Sequence, residues 1–136
     1  MSFFGKKYQK TDIENVLELM DALNVSEKIR AVLRNTESHS TFIKNADGSI
    51  QYVVTHNGNT LVDQKIVLGE EADFTTPDGT VTKNTFTLEG DTLKATMKTP
   101  DGKLLHFDRH FQGDVLRMEI YLDGLDLKGI VHYHVV

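Results

Sequence analysis

The sequence predicts an all-β chain that closes on itself as an up-and-down antiparallel barrel of roughly ten strands, with two short helices after the first strand. Three observations carry this prediction. Gly48, Gly58, Gly69, Gly79, Gly90, Gly102, Gly113 and Gly124 recur at intervals of 10 to 12 residues, which is the spacing of a strand meander. Asp47, Asn57, Asp78, Asp101 and Asp123 each precede one of these glycines, and Asp-Gly or Asn-Gly pairs supply the positive φ of a tight reversal. Between the turns lie alternating runs rich in β-branched and aromatic residues, such as 80–88 and 115–122. A meander keeps two exposed edges unless it closes, so a barrel is the economical arrangement.

In chain order, the first strand is expected near Gly5 to Lys10. Thr11-Asp12-Ile13-Glu14 then fits a capping box, followed by Ile13, Val16, Leu17, Met20 and Leu23 at helical spacing, with Asn24 closing the helix. A second helix starts at Ser26, carries Ile29, Val32 and Leu33 as its apolar stripe and stops at Asn35. Two short helices cannot fill a sandwich, but they can cover the open end of a barrel as a helix-turn-helix lid. The remaining chain reads as uninterrupted meander.

At 136 residues the chain has the size of one domain, residues 1–136. Its 15 Lys and Arg stand against 20 Asp and Glu, which disfavours nucleic acid, because counterion release needs a basic face. The lack of cysteine excludes disulfides, thiolate nucleophiles and cysteine-based metal centres. No apolar run of roughly 7 to 15 residues follows Met1-Ser2-Phe3-Phe4-Gly5-Lys6-Lys7, so the expected compartment is the cytoplasm. Nothing suggests more than a monomer.

In Leu105-His106-Phe107-Asp108-Arg109-His110-Phe111, alternation places Leu105, Phe107, Arg109 and Phe111 on one face and His106, Asp108 and His110 on the other. Arg109 therefore shares the apolar face. A guanidinium keeps its charge, and burying it costs roughly several kcal/mol unless an anion or hydrogen bonds compensate. The next strand offers Leu116, Met118, Ile120 and Leu122 as an apolar wall. A hydrocarbon ending in a carboxylate suits both features. The competing reading is that Arg109 pairs with an Asp or Glu inside a packed core.

His106 with His110, and His132 with His134, share strand faces and raise the alternative of a His-dependent metalloenzyme. Both pairs lie on polar sides, beside Asp108 and Lys128, which assigns them to solvent. No carboxylate pair is isolated on an apolar face, and no serine sits in a Gly-x-Ser-x-Gly elbow. No phosphate-cradling glycine loop appears either. The sequence advertises neither catalysis nor a cofactor.

The chain resembles the intracellular lipid-binding proteins, the cytosolic fatty-acid-binding and retinoid-binding proteins. Phe4-Gly5-Lys6-Lys7-Tyr8 is similar to the family's opening strand, Glu14-Asn15-Val16 through Leu19-Met20 to its first helix, and residues 68–76 to its Leu-Gly-x-x-Phe-Asp-x-Thr-Thr segment. Val16 and Ala72 stand where the family usually has Phe, and Tyr8 lies one position later than the common Gly-x-Trp aromatic. These departures mark a divergent, fatty-acid-binding-protein-like member.

The resemblance implies a flattened ten-stranded barrel of the lipocalin-like, or calycin, kind, with an internal cavity under a helical lid. It implies an acidic ligand head held by an Arg on the eighth strand and an Arg-x-Tyr on the last. Arg109 matches the first and Tyr133 the tyrosine, while Val131 occupies the place of the second arginine. Phe107, Met118, Ile120 and Val131 complete the expected ligand contacts. The family's portal maps onto Ile29, Val32, Leu33, Asn59, Thr60 and Asp78. Lys28 and Arg30 on the second helix are surrounded by Glu14, Glu18, Asp21 and Glu27, so the expectation is exchange by free diffusion, with transient membrane contact left open. The expected function is non-covalent carriage of a long-chain fatty acid; a retinoid, carotenoid or sterol is the alternative within the fold.

Overall fold

The computed structural model describes residues 3–34, 37–75 and 79–136, apart from the side chains of Ile29, Val32 and Leu33. Its elements run β1 (Lys7–Glu14), α1 (Val16–Leu23), α2 (Glu27–Arg34), β2 (His39–Lys44), β3 (Ile50–His56), β4 (Asn59–Ile66), β5 (Glu71–Thr75), β6 (Val81–Glu89), β7 (Thr92–Lys98), β8 (Leu104–Gln112), β9 (Val115–Leu122) and β10 (Lys128–Val135). The strands form one sheet in the order β4-β3-β2-β1-β10-β9-β8-β7-β6-β5. Because β1 pairs with both β2 and β10, the sheet rolls into a barrel that is open only where its edges β4 and β5 meet no ladder among the described residues.

The eight meander glycines all lie between consecutive strands, with φ between 58° and 88°. In the β3–β4 hairpin both turn residues, Asn57 at φ 50° and Gly58 at φ 77°, are left-handed, as a two-residue reversal with the strands' own twist requires. The expected first strand and capping box need correction. Thr11–Glu14 do not open a helix; they prolong β1, with Asp12, Ile13 and Glu14 opposite His132, Val131 and Ile130. A bulge between Lys10 and Asp12 lets the strand follow β10 around the barrel. The β10 ladder engages Asp12, Ile13 and Glu14 along one side of the strand, whereas a capping box satisfies two donors.

The reversal into α1 falls to Asn15, left-handed at φ 56° and without a side-chain cap. Its carbonyl accepts the first helical bond, from the Leu19 amide at 3.0 Å. Val16, Leu19 and Met20 form the buried face, and Asn24 closes the helix in the left-handed conformation, φ 54°. Arg30 ties the two helices, donating to the Val25 carbonyl at 2.8 Å and pairing with Asp21. The expected stop at Asn35 lies outside the described residues.

The helix rests on β10 at Gly129, where a Cβ would meet Val16 Cγ2 at 3.2 Å and Val16 Cα at 3.3 Å. The contact depends on the missing side chain. Gly129→Val is therefore expected to destabilise the fold by about 1–3 kcal/mol through overpacking, measured by urea unfolding. An unchanged midpoint would show that α1 can lift at no cost.

Up-and-down connections alternate between the two barrel ends, and the helices share theirs with the β3–β4, β5–β6, β7–β8 and β9–β10 turns. The opposite end is filled by aromatic rings. Phe3 stacks on Phe111 at 3.8 Å between centroids, Phe42 meets both edge-on, and Tyr8 meets Phe111 edge-on at 5.5 Å. Phe42 in turn stacks on Tyr52 at 4.9 Å.

Candidate functional site: a cavity with one internal arginine

A cavity of about 690 Å³ runs from the end of α1 into the barrel, within the range of small-molecule sites. Met20, Leu23 and Val25 roof it, and inward residues of β6 to β9 wall it. The free edges also face it, through Leu61–Gln64 of β4 and Asp73–Thr75 of β5. Asp63, Asp73, Asp101 and Lys103 also line it, Asp73 paired with Lys83 at 2.6 Å and Asp101 with Lys103 at 3.5 Å.

The alternation read in β8 and β9 is the one observed: Leu105, Arg109, Phe111, Leu116, Met118 and Ile120 are buried, while His106, Asp108 and His110 lie outside. Arg109 is 7% exposed and lies on the cavity wall. Its Cζ sits 5.2, 5.8 and 6.0 Å from the ring centroids of Tyr52, Phe42 and Phe107. The π faces offset part of the desolvation of the charge. Nη2 donates a long hydrogen bond to the Tyr52 hydroxyl, 3.4 Å, and buried Nη1 has no partner among the described residues. Among the described residues no carboxylate pairs with it, which is against the packed-core alternative. A guanidinium has five N–H groups, and this one is short of acceptors.

Arg109, Phe107 and Ile120 thus line the cavity, but Tyr133, Met118 and Val131 do not. Val131, fully buried, faces Met118 across the β9–β10 ladder, and both are consumed in the core. Tyr133 stands behind the wall, hydrogen-bonded to Ser40. Burial above all, then the neighbouring Tyr52, pushes its hydroxyl well above the usual tyrosine range, so it is a neutral phenol. The hydroxyl that meets both Arg109 and the cavity belongs to Tyr52 instead.

Asn59 and Thr60 also lie off the cavity and are exposed. A bulge pairs Val54 with Val62 but Thr55 with Thr60, and it turns Leu61 and its successors toward the opening. Asp78 and the side chains of Ile29, Val32 and Leu33 lie outside the described residues.

Tyr52, Thr82, Asn84 and Lys10 are interior polar groups that the sequence pattern did not single out. Tyr52 has a legible signal, alternating with buried Ile50 and Val54 on β3. Thr82 and Asn84 alternate with Phe86 on β6, all three buried. Lys10 has the least signal, lying in a polar-looking run, yet it is 4% exposed and faces inward opposite Tyr133. Burial lowers its pKa to about 8.

The histidines stay outside. His106 meets Asp123 at 3.1 Å, His132 pairs with Glu14, and His110 lies 3.3 Å from Thr92 Oγ1. Val131 and Tyr133 point inward, so His132 and His134 cannot. Among the described residues no three His, Asp or Glu side chains gather as metal ligands. No described helix is long and apolar enough to cross a membrane.

No protein-family model matches the chain. Solved structures do. The fatty-acid-binding protein of Manduca sexta superposes with a TM-score of 0.85 at 23% identity, covering 98% of this chain and 99% of its own. That of Drosophila melanogaster brain tissue gives 0.82 at 26% identity, over 98% and 99%. The Schistosoma mansoni fatty-acid-binding protein, solved with arachidonic acid, gives 0.85 at 21% identity, over 100% and 98%. With ten strands in the same meander and an apolar cavity around one internal arginine, the chain has the fold of the fatty-acid-binding proteins.

Proposed function

We propose that the protein is a carrier that holds one long hydrophobic carboxylate, a fatty acid, non-covalently inside its barrel. The observation that carries this reading is Arg109: a buried guanidinium at an apolar cavity, with Nη1 unpartnered and no carboxylate beside it among the described residues. A ligand carboxylate supplies the missing acceptor. Burial of the tail against Phe74, Phe86, Met97, Leu105 and Leu122 contributes roughly 0.8 kcal/mol per methylene.

That the similar Schistosoma protein was solved with arachidonic acid supports the choice of ligand. In this reading the protein works in the cytoplasm as a monomer, without a cofactor and without performing a reaction, and meets membranes only transiently.

The test is displacement of a fluorescent fatty-acid probe from delipidated protein by oleate, retinoic acid, retinol and cholesterol. Oleate is expected to compete at micromolar or lower concentration. Retinol or cholesterol competing better than both acids would assign the cavity to a neutral lipid.

A further inference from the structure

The cavity has a second polar feature, remote from Arg109. Thr82 and Asn84, at 4% and 6% exposure, project from β6 into a wall otherwise made by Phe74, Phe86, Ala95 and Met97. Their hydrogen bonds run in one direction. Thr82 Oγ1 donates to the Phe74 carbonyl at 3.4 Å, so its hydroxyl accepts from Asn84 Nδ2, at 3.0 Å. A hydroxyl has one proton to give, and this chain sets the amide's orientation. It leaves Asn84 Oδ1 without a partner among the described residues, on a side chain that lines the cavity. Oδ1 is therefore an acceptor open to the cavity space, where a ligand donor can reach it.

Strand register fixes where this acceptor lies. Arg109 pairs with Leu93 of β7, and Asn84 with Met97 of the same strand. The two side chains are thus separated by about 13 Å along the strands and two inter-strand spacings, roughly 10 Å, across them. A ligand anchored at Arg109 meets Asn84 along its tail, well away from its head.

We propose that Asn84 is a second polar subsite, which accepts a hydrogen bond from a hydroxyl borne on the distal part of a fatty acid, so that the cavity suits hydroxylated fatty acids. The inference rests on the carrier reading above and narrows its ligand class. Stearate, which has no hydroxyl, leaves Oδ1 unsatisfied; a hydroxyl buried with no acceptor near it is costly on the ligand side. The two groups answer each other.

The experiment compares stearate, 12-hydroxystearate and 2-hydroxystearate on the delipidated wild type and Asn84→Leu, a substitution that keeps the branched heavy-atom skeleton. The wild type is expected to bind 12-hydroxystearate at least as tightly as stearate. Asn84→Leu should weaken 12-hydroxystearate about tenfold while stearate and 2-hydroxystearate keep their affinities. A wild type that already disfavours 12-hydroxystearate about tenfold, or a variant in which all three ligands move together, would overturn the subsite. Should the variant fail to fold, the Asn84 side-chain amide resonances of the wild type decide the matter. They are expected to shift further with 12-hydroxystearate than with the other two, and equal shifts would overturn the proposal. Failure of the wild type to bind any of the three removes the carrier reading and this inference with it.

Discussion

Arg109→Gln is expected to weaken oleate about 10- to 100-fold while leaving oleyl alcohol within about threefold of its wild-type affinity, a difference read by titration of both ligands. The magnitude follows from the loss of one charge-assisted contact, worth about 1.5–3 kcal/mol. The tail's burial is kept, because Phe74, Phe86, Met97 and Leu122 lie on other strands and the substitution leaves Leu105 and Phe107 of β8 itself in place. Glutamine keeps a donor near Tyr52, so the alcohol retains a partner. The unliganded protein should respond in the opposite sense. Arg109 buries a charge with Nη1 unpartnered among the described residues, and removing a buried ion that ring faces and one long hydrogen bond compensate only in part relieves a desolvation cost. The thermal midpoint of the apo variant should rise as its affinity falls. Equal weakening of acid and alcohol, or a fall in the apo midpoint, would make Arg109 a structural residue.

The second large effect concerns stability. Lys10→Met is expected to stabilise the protein at pH 7 by about 2–3 kcal/mol, measured by denaturant unfolding. Burial alone lowers the Lys10 pKa from 10.5 to about 8. Among the described residues Tyr8, on the same strand, and Tyr133, opposite, flank it; burial pushes both upward, so they remain neutral. Between pH 8 and 10.5 the unfolded chain binds the proton that the folded chain has released, so this group's contribution to stability rises with pH across that window. Below pH 8 both states are protonated and the full cost of the buried ammonium is present. Wild-type stability should therefore gain relative to Lys10→Met from pH 8 toward 10, with the two curves converging. Parallel curves would mean that Lys10 is as well solvated folded as unfolded.

Much of the fold is legible because it is written in local chemistry. Each turn glycine needs a positive φ that L side chains rarely adopt, and alternation in residues 105–111 and 116–122 separates inside from outside without reference to any distant strand. The capping box misled for the opposite reason. Thr11 to Glu14 satisfy a local rule, but their fate is decided by β10, more than a hundred residues away in the chain, and a ladder satisfies more backbone than a cap.

The site divides along the same line. Arg109 is conspicuous as a charge on an apolar face. Met118, Val131 and Tyr133 face inward like Arg109, yet alternation cannot distinguish a cavity wall from a packed core; that depends on how Phe3, Phe42 and Phe111 fill one end of the barrel. Lys10 sits among Gln9, Thr11 and Asp12, where a cation reads as solvated, and only the closure of β1 between β2 and β10 buries it.

The central claim, that a carboxylate seats against Arg109, is tested most directly by the carboxyl carbon of bound oleate, labelled with carbon-13 and followed by NMR as the pH is lowered. The account predicts a bound signal that stays at the ionised shift down to about pH 4 or below, because an adjacent guanidinium favours the charged form. In Arg109→Gln the same carboxyl should take up its proton at higher pH. A wild-type signal that titrates above the ordinary carboxylate range, unchanged by the substitution, would place the head group elsewhere and contradict the account.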